Sequence, residues 1–307
     1  MLIKNLKLRN FRNYENLDID FASNFNIIYG KNAQGKTNIL EAIFICATGR
    51  SHRTSRDAEL IRIGNEEYYI KLDLEKENRT SSIEINYDKN QKKKVKINEI
   101  PQKRLGNLIG HLNVVLFSPE DLLIIKEGPS GRRKFLDMTI SQIKPSYFHD
   151  LQQYAKILLH RNILLKEIEK NKKLIDTLEV WNNNLIKVGS RIIKIRSDFL
   201  NKISKKAEIN HHKLTNCSEK LNLKYMPSID YGENNELENI EAAFKESLKM
   251  LQKKELLKAV TLCGPQRDDY DILLNDMSLK MFGSQGQQRT GILSIKLSEI
   301  DIMKEFT

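Results

Sequence analysis

The alternation of apolar and polar residues predicts mostly β-strands in the first 125 residues of the chain. The predicted strands are short and rich in β-branched and aromatic residues: LIKNLKLRNF, LDIDF, FNIIY, EYYIKLDLE, SSIEINYD, KKVKINEI and NVVLFS. One helix interrupts them from Lys36 to Ala47, and the following Thr48-Gly49 is a plausible C-terminal cap for it.

The apolar spacing changes to three and four residues from about Gly131 to His212, which predicts long helices. A shorter helix capped by Ser118 precedes them. Two long helices joined near residues 171–176 form an antiparallel hairpin, or arm. His211 and His212, at the end of the second one, are expected to face solvent.

The last quarter of the chain returns to strands before one more helix. NLKYM reads as a strand, LENIEAAFKESLKMLQKKELLKA as a helix, and ILLND-MSLK as a hairpin around Asn275-Asp276. Because strands lie at both ends with helices between them, we expect one α/β domain built from both ends with a helical insertion.

Composition narrows the class of protein. The chain has 307 residues, of which 40% are apolar and 30% charged, as expected of a globular protein. No apolar run approaches the roughly 18 residues that span a bilayer. Three distant cysteines without a CxxC pair predict neither disulfides nor a zinc site, and they suit a reducing cytoplasm. The net charge of +11 favours nucleic acid as a partner only modestly, because a solvated Lys-rich face gives the same charge.

A glycine-rich segment after FNIIY matches G-x-x-x-x-G-K-[ST] in full. Its residues, called the phosphate loop here, are Gly30, Lys31, Asn32, Ala33, Gln34, Gly35, Lys36 and Thr37. Glycines let the backbone amides approach phosphate oxygens, and the helix that follows adds its positive end. Lys36 can reach the β- and γ-phosphates, and the Thr37 hydroxyl can bind Mg²⁺. A chance glycine turn is the alternative, but motif and context together predict a nucleoside triphosphate site.

A second candidate anion site is GSQGQQRTG, just before the last helix. Ser284 is a good N-cap and Gly286 permits close backbone approach. Arg289 lies one turn into the helix, where a cation opposes the helix dipole, so we expect an anion to compensate it. An ordinary capped helix is the alternative.

The order of these motifs resembles the RecF family of SMC-like, ABC-type ATPases over almost the whole chain. The similar blocks are LRNFRNYENLDIDF, YGKNAQGKTNILEAI, GRSHRTSRDAELI, LFSPEDLLIIKEGPSGRRKFLD, GPQRDDYDILLN and SQGQQRT. Gln266 departs from the family, which has His there. The resemblance implies an α/β ABC-type ATPase head, with a phosphate loop and a mixed sheet, from residues 1–125 and 256–307. A helical arm of residues 126–255 is inserted between these parts.

One element of such heads is not found. After LSEIDIMKEFT we expect an apolar strand ending in Asp-Asp or Asp-Glu, which would orient Mg²⁺ and activate water. By family analogy about 50 further residues are expected, in keeping with domain size. Catalytic residues therefore cannot be assigned, and the weak DNA-stimulated ATPase activity of the family becomes an open expectation for this chain.

The resemblance also implies a mechanism and partners. ATP with Mg²⁺ would lie between two heads, with the phosphate loop of one chain facing Ser284, Gly286 and Gln287 of the other, and Arg12 near the nucleotide. The ATP-dependent homodimer would clamp single- or double-stranded DNA, and would load RecA together with RecO and RecR.

Basic loops are the candidate DNA contacts, directed at the backbone and sensitive to salt. GRSHRTSR supplies Arg50, Arg53 and Arg56, although incidental surface charge explains them about equally well. Arg132 and Arg133 are further candidates; salt bridges to Glu120, Asp121 or Asp137 are their alternative role. In the Asp268-Asp269 pair we expect one buried carboxylate bonded to an arginine, and no metal.

Three other classes of protein share a phosphate loop. A transporter-type ABC ATPase subunit needs a membrane partner, and association with a permease would identify it. A phosphotransferase needs an acceptor pocket, which nothing in the sequence marks. A nucleotide- and DNA-binding module without hydrolysis fits the absent acidic strand, and retained DNA binding without ATPase activity would identify it.

Overall fold

The computed structural model describes residues 1–76, 79–91 and 93–306, and these form two compact units, Met1–Leu116 and Phe117–Phe306. Both units are continuous in sequence. The sequence predicted a different division: an ATPase head from residues 1–125 and 256–307, and an arm of residues 126–255. That division is based on the order of the motifs, whereas the two units are defined by compactness, and it stays a prediction. Thr307, the last residue of the chain, lies outside the described residues.

The first unit is built on an antiparallel sheet in the order β2-β1-β3-β4-β5-β6. Its strands are β1 (Leu2–Phe11), β2 (Tyr14–Asp20), β3 (Glu67–Lys76), β4 (Arg79–Asp88), β5 (Lys94–Ile97) and β6 (Ile100–Pro101). The alternation that predicts these strands also sets their register, since Leu6 and Leu8 of β1 lie opposite Leu72 and Ile70 of β3, and all four are buried.

Helix α1 (Lys36–Thr48) supplies the other side of this core, and its existence and C-cap confirm the prediction. Gly49 adopts the left-handed conformation and donates its N–H to the Ile45 carbonyl, which ends the helix. Residues 41–47 are all buried. The helix that follows the phosphate loop is therefore fixed by packing along most of its length.

Two predicted strands of the first unit, FNIIY and NVVLFS, are wrong, because residues 25–29 and 113–118 belong to no strand. Phe25, Ile27 and Tyr29 are 79%, 73% and 89% exposed. A β-rich sequence becomes a strand only when a neighbour accepts and donates its backbone hydrogen bonds, and neither segment is hydrogen-bonded into a described sheet.

The second unit is mainly helical. Its helices are α2 (Leu123–Lys126), α3 (Pro129–Ile143), α4 (Pro145–Lys170), α5 (Leu178–Leu214), α6 (Leu237–Lys258), α7 (Leu279–Phe282) and α8 (Gln285–Lys304). The segment predicted to begin at Ser118 opens as a 3₁₀ turn, Pro119–Leu122, before α2.

Helices α4 and α5 confirm the predicted antiparallel hairpin, which the 3₁₀ turn Lys172–Thr177 closes. Asp150 at the start of α4 pairs with Arg191 far along α5. Arg161, farther along α4, donates to Asn182 near the start of α5. These pairs run in opposite directions along the two helices, as antiparallel packing requires.

A small antiparallel sheet completes the second unit, from β7 (Leu221–Met226), β8 (Asp269–Leu274) and β9 (Met277–Ser278). The predicted hairpin between β8 and β9 is confirmed, with Asn275 and Asp276 at positive φ values of 49° and 62°. Among the described residues, no helix is both long enough and apolar enough to cross a membrane.

Candidate nucleotide-binding site

The phosphate loop leads directly into α1, and its second glycine is required by the backbone. Gly35 is the N-cap of the helix at φ 97°, a conformation that other residues adopt only under strain. A Cβ added at Gly35 would lie 2.6 Å from Asn13 Oδ1. Glycine is therefore the residue that closes this turn against β1 and β2.

The amide groups of the loop are available to a ligand. Asn32 and Ala33 form a hydrogen-bonded turn, and the peptide N–H groups of Gly35, Lys36 and Thr37 donate to no acceptor in the described part of the chain. The Lys36 ammonium folds back over the loop and donates to the carbonyls of Gly30 and Lys31, both at 2.7 Å. Unpaired amides, a helix N-terminus and a lysine together form a cradle for an anion of phosphate size.

Residues at the turn between β1 and β2 form hydrogen bonds with the phosphate loop and with the start of α1. Asn13 Nδ2 and the Tyr14 hydroxyl both donate to the Gln34 carbonyl, at 3.1 and 3.3 Å. Asn38 Nδ2 in turn donates to Asn13 Oδ1 at 2.8 Å. The loop is therefore held in place before any ligand arrives, which lowers the entropic cost of binding.

Arg12, predicted to lie near the nucleotide, is held by Glu41 of α1. Its guanidinium donates to both Glu41 carboxylate oxygens, at 3.0 and 2.7 Å, and to the Glu59 carbonyl at 3.0 Å. Ser51 donates to the same carboxylate. Burial alone would raise the pKa of Glu41, but the hydrogen bonds from Arg12 and Ser51 outweigh burial and lower that pKa. Arg12 thus positions α1, and whether it also contacts a nucleotide stays a prediction.

Glu41 is a residue that sequence reasoning missed. It is fully buried within the otherwise apolar run ILEAIF. A single carboxylate on the buried side of a helix needs a cationic or hydrogen-bonding partner. The position of Glu41 within this apolar run could therefore have indicated a buried polar contact.

The second predicted anion site, residues 284–287, is called the signature turn here. Ser284 caps α8 by accepting from the Gln287 N–H at 3.2 Å, and the Gln287 side chain accepts from the Ser284 N–H at 2.8 Å. This reciprocal pair is a capping box. Gly286 is exposed, and a Cβ there would meet only Ser284 Oγ, at 3.8 Å.

Arg289 follows the signature turn on the exposed surface of α8. The sequence predicted an anion beside it. None of the described residues forms a hydrogen bond or ion pair with its guanidinium. The signature turn and the phosphate loop lie in different compact units.

The candidate DNA contacts differ in how far their side chains are already engaged. Arg50 is exposed, and Arg56 is 81% exposed with Glu59 only at 4.0 Å. Arg53 donates to Asn38 Oδ1 at 3.1 Å and lies 3.4 Å from Glu41. Arg50 and Arg56 are therefore the residues of this loop most available to a phosphate backbone.

Arg132 has a structural role instead. It donates to both carboxylate oxygens of Asp269 at 2.7 Å and to the carbonyls of Ile124 and Glu127. Its partner is Asp269, so the predicted pairing with Glu120, Asp121 or Asp137 is wrong. Because the side chain is buried and its donors are used, little of it remains for DNA.

Arg133 is half-buried and donates to the carbonyl of Asp268 at 2.8 Å. In the aspartate pair, the expected arginine partner belongs to Asp269, whereas Asp268 is the more deeply buried carboxylate. Burial raises the pKa of Asp268, and hydrogen bonds from Tyr225 and Ser228 oppose that rise only in part.

The expectation that His211 faces solvent is wrong. The ring is fully buried, with Nδ1 3.0 Å from Ser294 Oγ and Nε2 3.1 Å from Glu219 Oε2. The polar neighbours come from α8 and from the loop before β7, so helix periodicity alone could not have predicted them. His212 is half-buried.

Comparisons with known proteins agree on one family of relatives. A family model described as an AAA domain matches residues 5–280. "DNA replication and repair protein RecF" of Acetivibrio thermocellus is 53% identical over all of this chain and 83% of its own length. The protein of the same name from Ruminiclostridium cellulolyticum is 51% identical, with the same coverage of both chains.

Solved structures give the same result. A structure of "the recombination mediator protein RecF-ATP in RecFOR pathway" has a TM-score of 0.95 at 40% identity, over 99% of this chain and 81% of that one. An Smc head bound to a domain of ScpA has a TM-score of 0.51 at 14% identity, over 98% of this chain and 77% of that one, and shows likeness of fold alone. The fold is that of an ABC-type ATPase head, as predicted.

Proposed function

The chain belongs to the RecF family of DNA replication and repair proteins, and from this premise we propose that it is an ATP-switched DNA-binding protein. ATP with Mg²⁺ brings two copies together on DNA, and the dimer is the DNA-binding form. Acting with RecO and RecR, this dimer promotes the loading of RecA.

The phosphate loop is the observation that carries the proposal. Its free amides and the Lys36 ammonium fit a triphosphate, and the exposed Thr37 hydroxyl at the start of α1 fits a Mg²⁺ ligand. The relative whose structure was solved with ATP supports ATP as the nucleotide. Lys36 exchanges two carbonyl contacts for phosphate oxygens when the nucleotide enters.

The signature turn supports an ATP-dependent dimer. Glycine in the first turn of a helix lowers its stability, and nothing in the described residues requires Gly286 there. Arg289 likewise lacks an anionic partner among the residues that the structure describes. A nucleotide carried by a second copy supplies both the close approach and the negative charge. Because such a ligand contacts both chains only in the dimer, ATP shifts monomer toward dimer.

The exposed arginines Arg50 and Arg56, together with the net charge of +11, support binding to the DNA backbone. Contacts to phosphates carry little base specificity and release counterions. Affinity therefore falls steeply with salt and is shared by single- and double-stranded DNA. Arg53 and Arg133 contribute less, since each is partly engaged within the chain.

The test compares Lys36→Ala with wild type in three titrations: ATP binding, ATP-dependent self-association, and DNA binding with and without ATP at two salt concentrations. Lys89→Ala is the matched control, because it removes an exposed lysine of the first unit, in the turn after β4. Both variants lose one positive charge, so a difference between them is not a net-charge effect.

We expect Lys36→Ala to lose ATP binding, ATP-dependent self-association and the ATP-dependent part of DNA binding. Lys89→Ala should retain all three. A Lys36→Ala protein that still binds ATP and still gains DNA affinity from it would overturn the proposal.

A further inference from the structure

Glu219 connects two distant parts of the second unit. One carboxylate oxygen, Oε2, lies 3.1 Å from the buried ring of His211, at the C-terminal end of α5. The other, Oε1, accepts a hydrogen bond from Gln287 Nε2 at 2.8 Å, in the first turn of α8. We call the chain His211–Glu219–Gln287 the Glu219 bridge.

Both the carbonyl oxygen and the amide nitrogen of the Gln287 side chain form hydrogen bonds in this arrangement. Its carbonyl oxygen accepts from the Ser284 N–H, and its amide group donates to Glu219. Gln287 therefore faces inward and holds the cap of α8, while Ser284, Gly286 and Arg289 remain exposed. The residues that remain for a ligand are held in place by the bridge beneath them.

The bridge also fixes one end of the arm. His211 is held from both sides of its ring, by Ser294 of α8 and by Glu219. Asn210 beside it donates to Ser298 and Asp301 of the same helix, both at 3.0 Å. Because α5 rises about 1.5 Å per residue, its first residue, Leu178, lies about 50 Å from His211 along the helix. These contacts tie the C-terminal end of α5 to α8.

We propose that Glu219 is a positioning residue for nucleotide sandwiching: it locks the signature turn, through Gln287, in the shape that receives the second copy's ATP. This inference rests on the proposed function. It assigns Gln287 an indirect role, in contrast to the direct nucleotide contact implied by family resemblance.

An exchange of side chains tests the contact itself. Gln287→Glu preserves the capping box, because glutamate serves equally at that position, but it sets two carboxylates against each other. The double variant Glu219→Gln with Gln287→Glu restores the pair with roles reversed. The new amide group at position 219 donates to the new carboxylate at position 287, and the other end of that amide faces His211 Nε2. Glu208→Gln is the control, since Glu208 is half-buried and makes only a long ion pair with Lys220, at 3.9 Å.

ATP affinity of the dilute, monomeric protein and ATP-dependent self-association are measured by titration and sedimentation, with a thermal melt to verify folding. We expect Gln287→Glu to keep monomer ATP affinity and to weaken self-association by roughly tenfold or more. The double variant should recover to within about threefold of wild type.

Two outcomes overturn the inference. Unchanged self-association of Gln287→Glu would show that the bridge does not position the turn. Failure of the double variant to recover, although folded, would show that Gln287 acts on the nucleotide directly. The proposed function is tested separately by Lys36→Ala, whose ATP binding does not depend on Glu219.

Discussion

Replacing Gly286 with alanine should affect the stability of the monomer and the proposed ATP-dependent dimerisation in opposite directions. Gly286 is the second residue of α8, and its φ lies outside the left-handed region. The added methyl group would meet only Ser284 Oγ at 3.8 Å, an ordinary van der Waals contact. The folded monomer therefore has room for alanine.

The effect on the monomer follows from helix propensity. Alanine is favoured over glycine by up to about 1 kcal/mol in a helix, and by less in the first turn. We expect Gly286→Ala to leave the free energy of unfolding unchanged or to raise it by up to about 1 kcal/mol.

The effect on the dimer has the opposite sign. A methyl group inserted where a nucleotide packs against backbone costs about 1–3 kcal/mol. A two-fold dimer contains the site twice, so the total is about 2–6 kcal/mol, a weakening of roughly 30-fold to 10⁴-fold.

The assay is sedimentation of the protein over a concentration series with saturating ATP, beside urea unfolding without ATP. Gly131→Ala is the control: it also adds a methyl group in the first turn of a helix of the same unit, 3.6 Å from Glu127 Oε2. Dimerisation of Gly286→Ala at wild-type concentrations of protein would refute the idea that a second chain's ligand approaches this residue closely.

Three further changes probe buried or strained positions. Gly35→Ala should abolish ATP binding without abolishing folding, because φ 97° and contact with the β1–β2 turn exclude a side chain; an ATP titration measures this. Glu41→Gln should destabilise the protein by about 1.5–3 kcal/mol through its bonds with Arg12. Because the folded-state pKa of Glu41 is lowered, the difference in free energy of unfolding between wild type and Glu41→Gln should be full above about pH 4.3 and should shrink as the pH falls further. Urea unfolding at several pH values measures this difference, and a difference that does not change with pH would contradict the prediction. Arg161→Met should lower the free energy of unfolding, measured in urea, by about 3–5 kcal/mol, because it leaves the buried Glu255 carboxylate without a cationic partner. Adding Glu255→Leu to the same chain should recover most of this loss.

The sequence was sufficient to predict features that depend on neighbouring residues. The phosphate loop, its helix, the Gly49 cap and the Ser284 cap each depend on residues within a few positions of one another. Glycine conformations and capping hydrogen bonds are formed within one turn of chain. The helical hairpin and the β8–β9 hairpin were also predicted, because short connections leave adjacent elements little choice but to pack on each other.

Predictions failed where a residue depends on a partner far along the chain. FNIIY has the composition of a strand, but pairing decides whether a strand forms. Arg132 forms its ion pair with Asp269, 137 positions away in the sequence, instead of with a nearby carboxylate.

Sequence by itself determined the local conformation of the phosphate loop at Gly35 and the capping of α8 at Ser284, since backbone conformation and capping are local properties of the chain. Tertiary structure alone decided which polar groups support those turns. Glu41 under the phosphate loop and Glu219 under the signature turn become partners of Arg12 and Gln287 only when packing brings separate elements together. A buried charge takes whichever partner the fold places beside it, because leaving it unpaired costs more free energy than any local preference supplies.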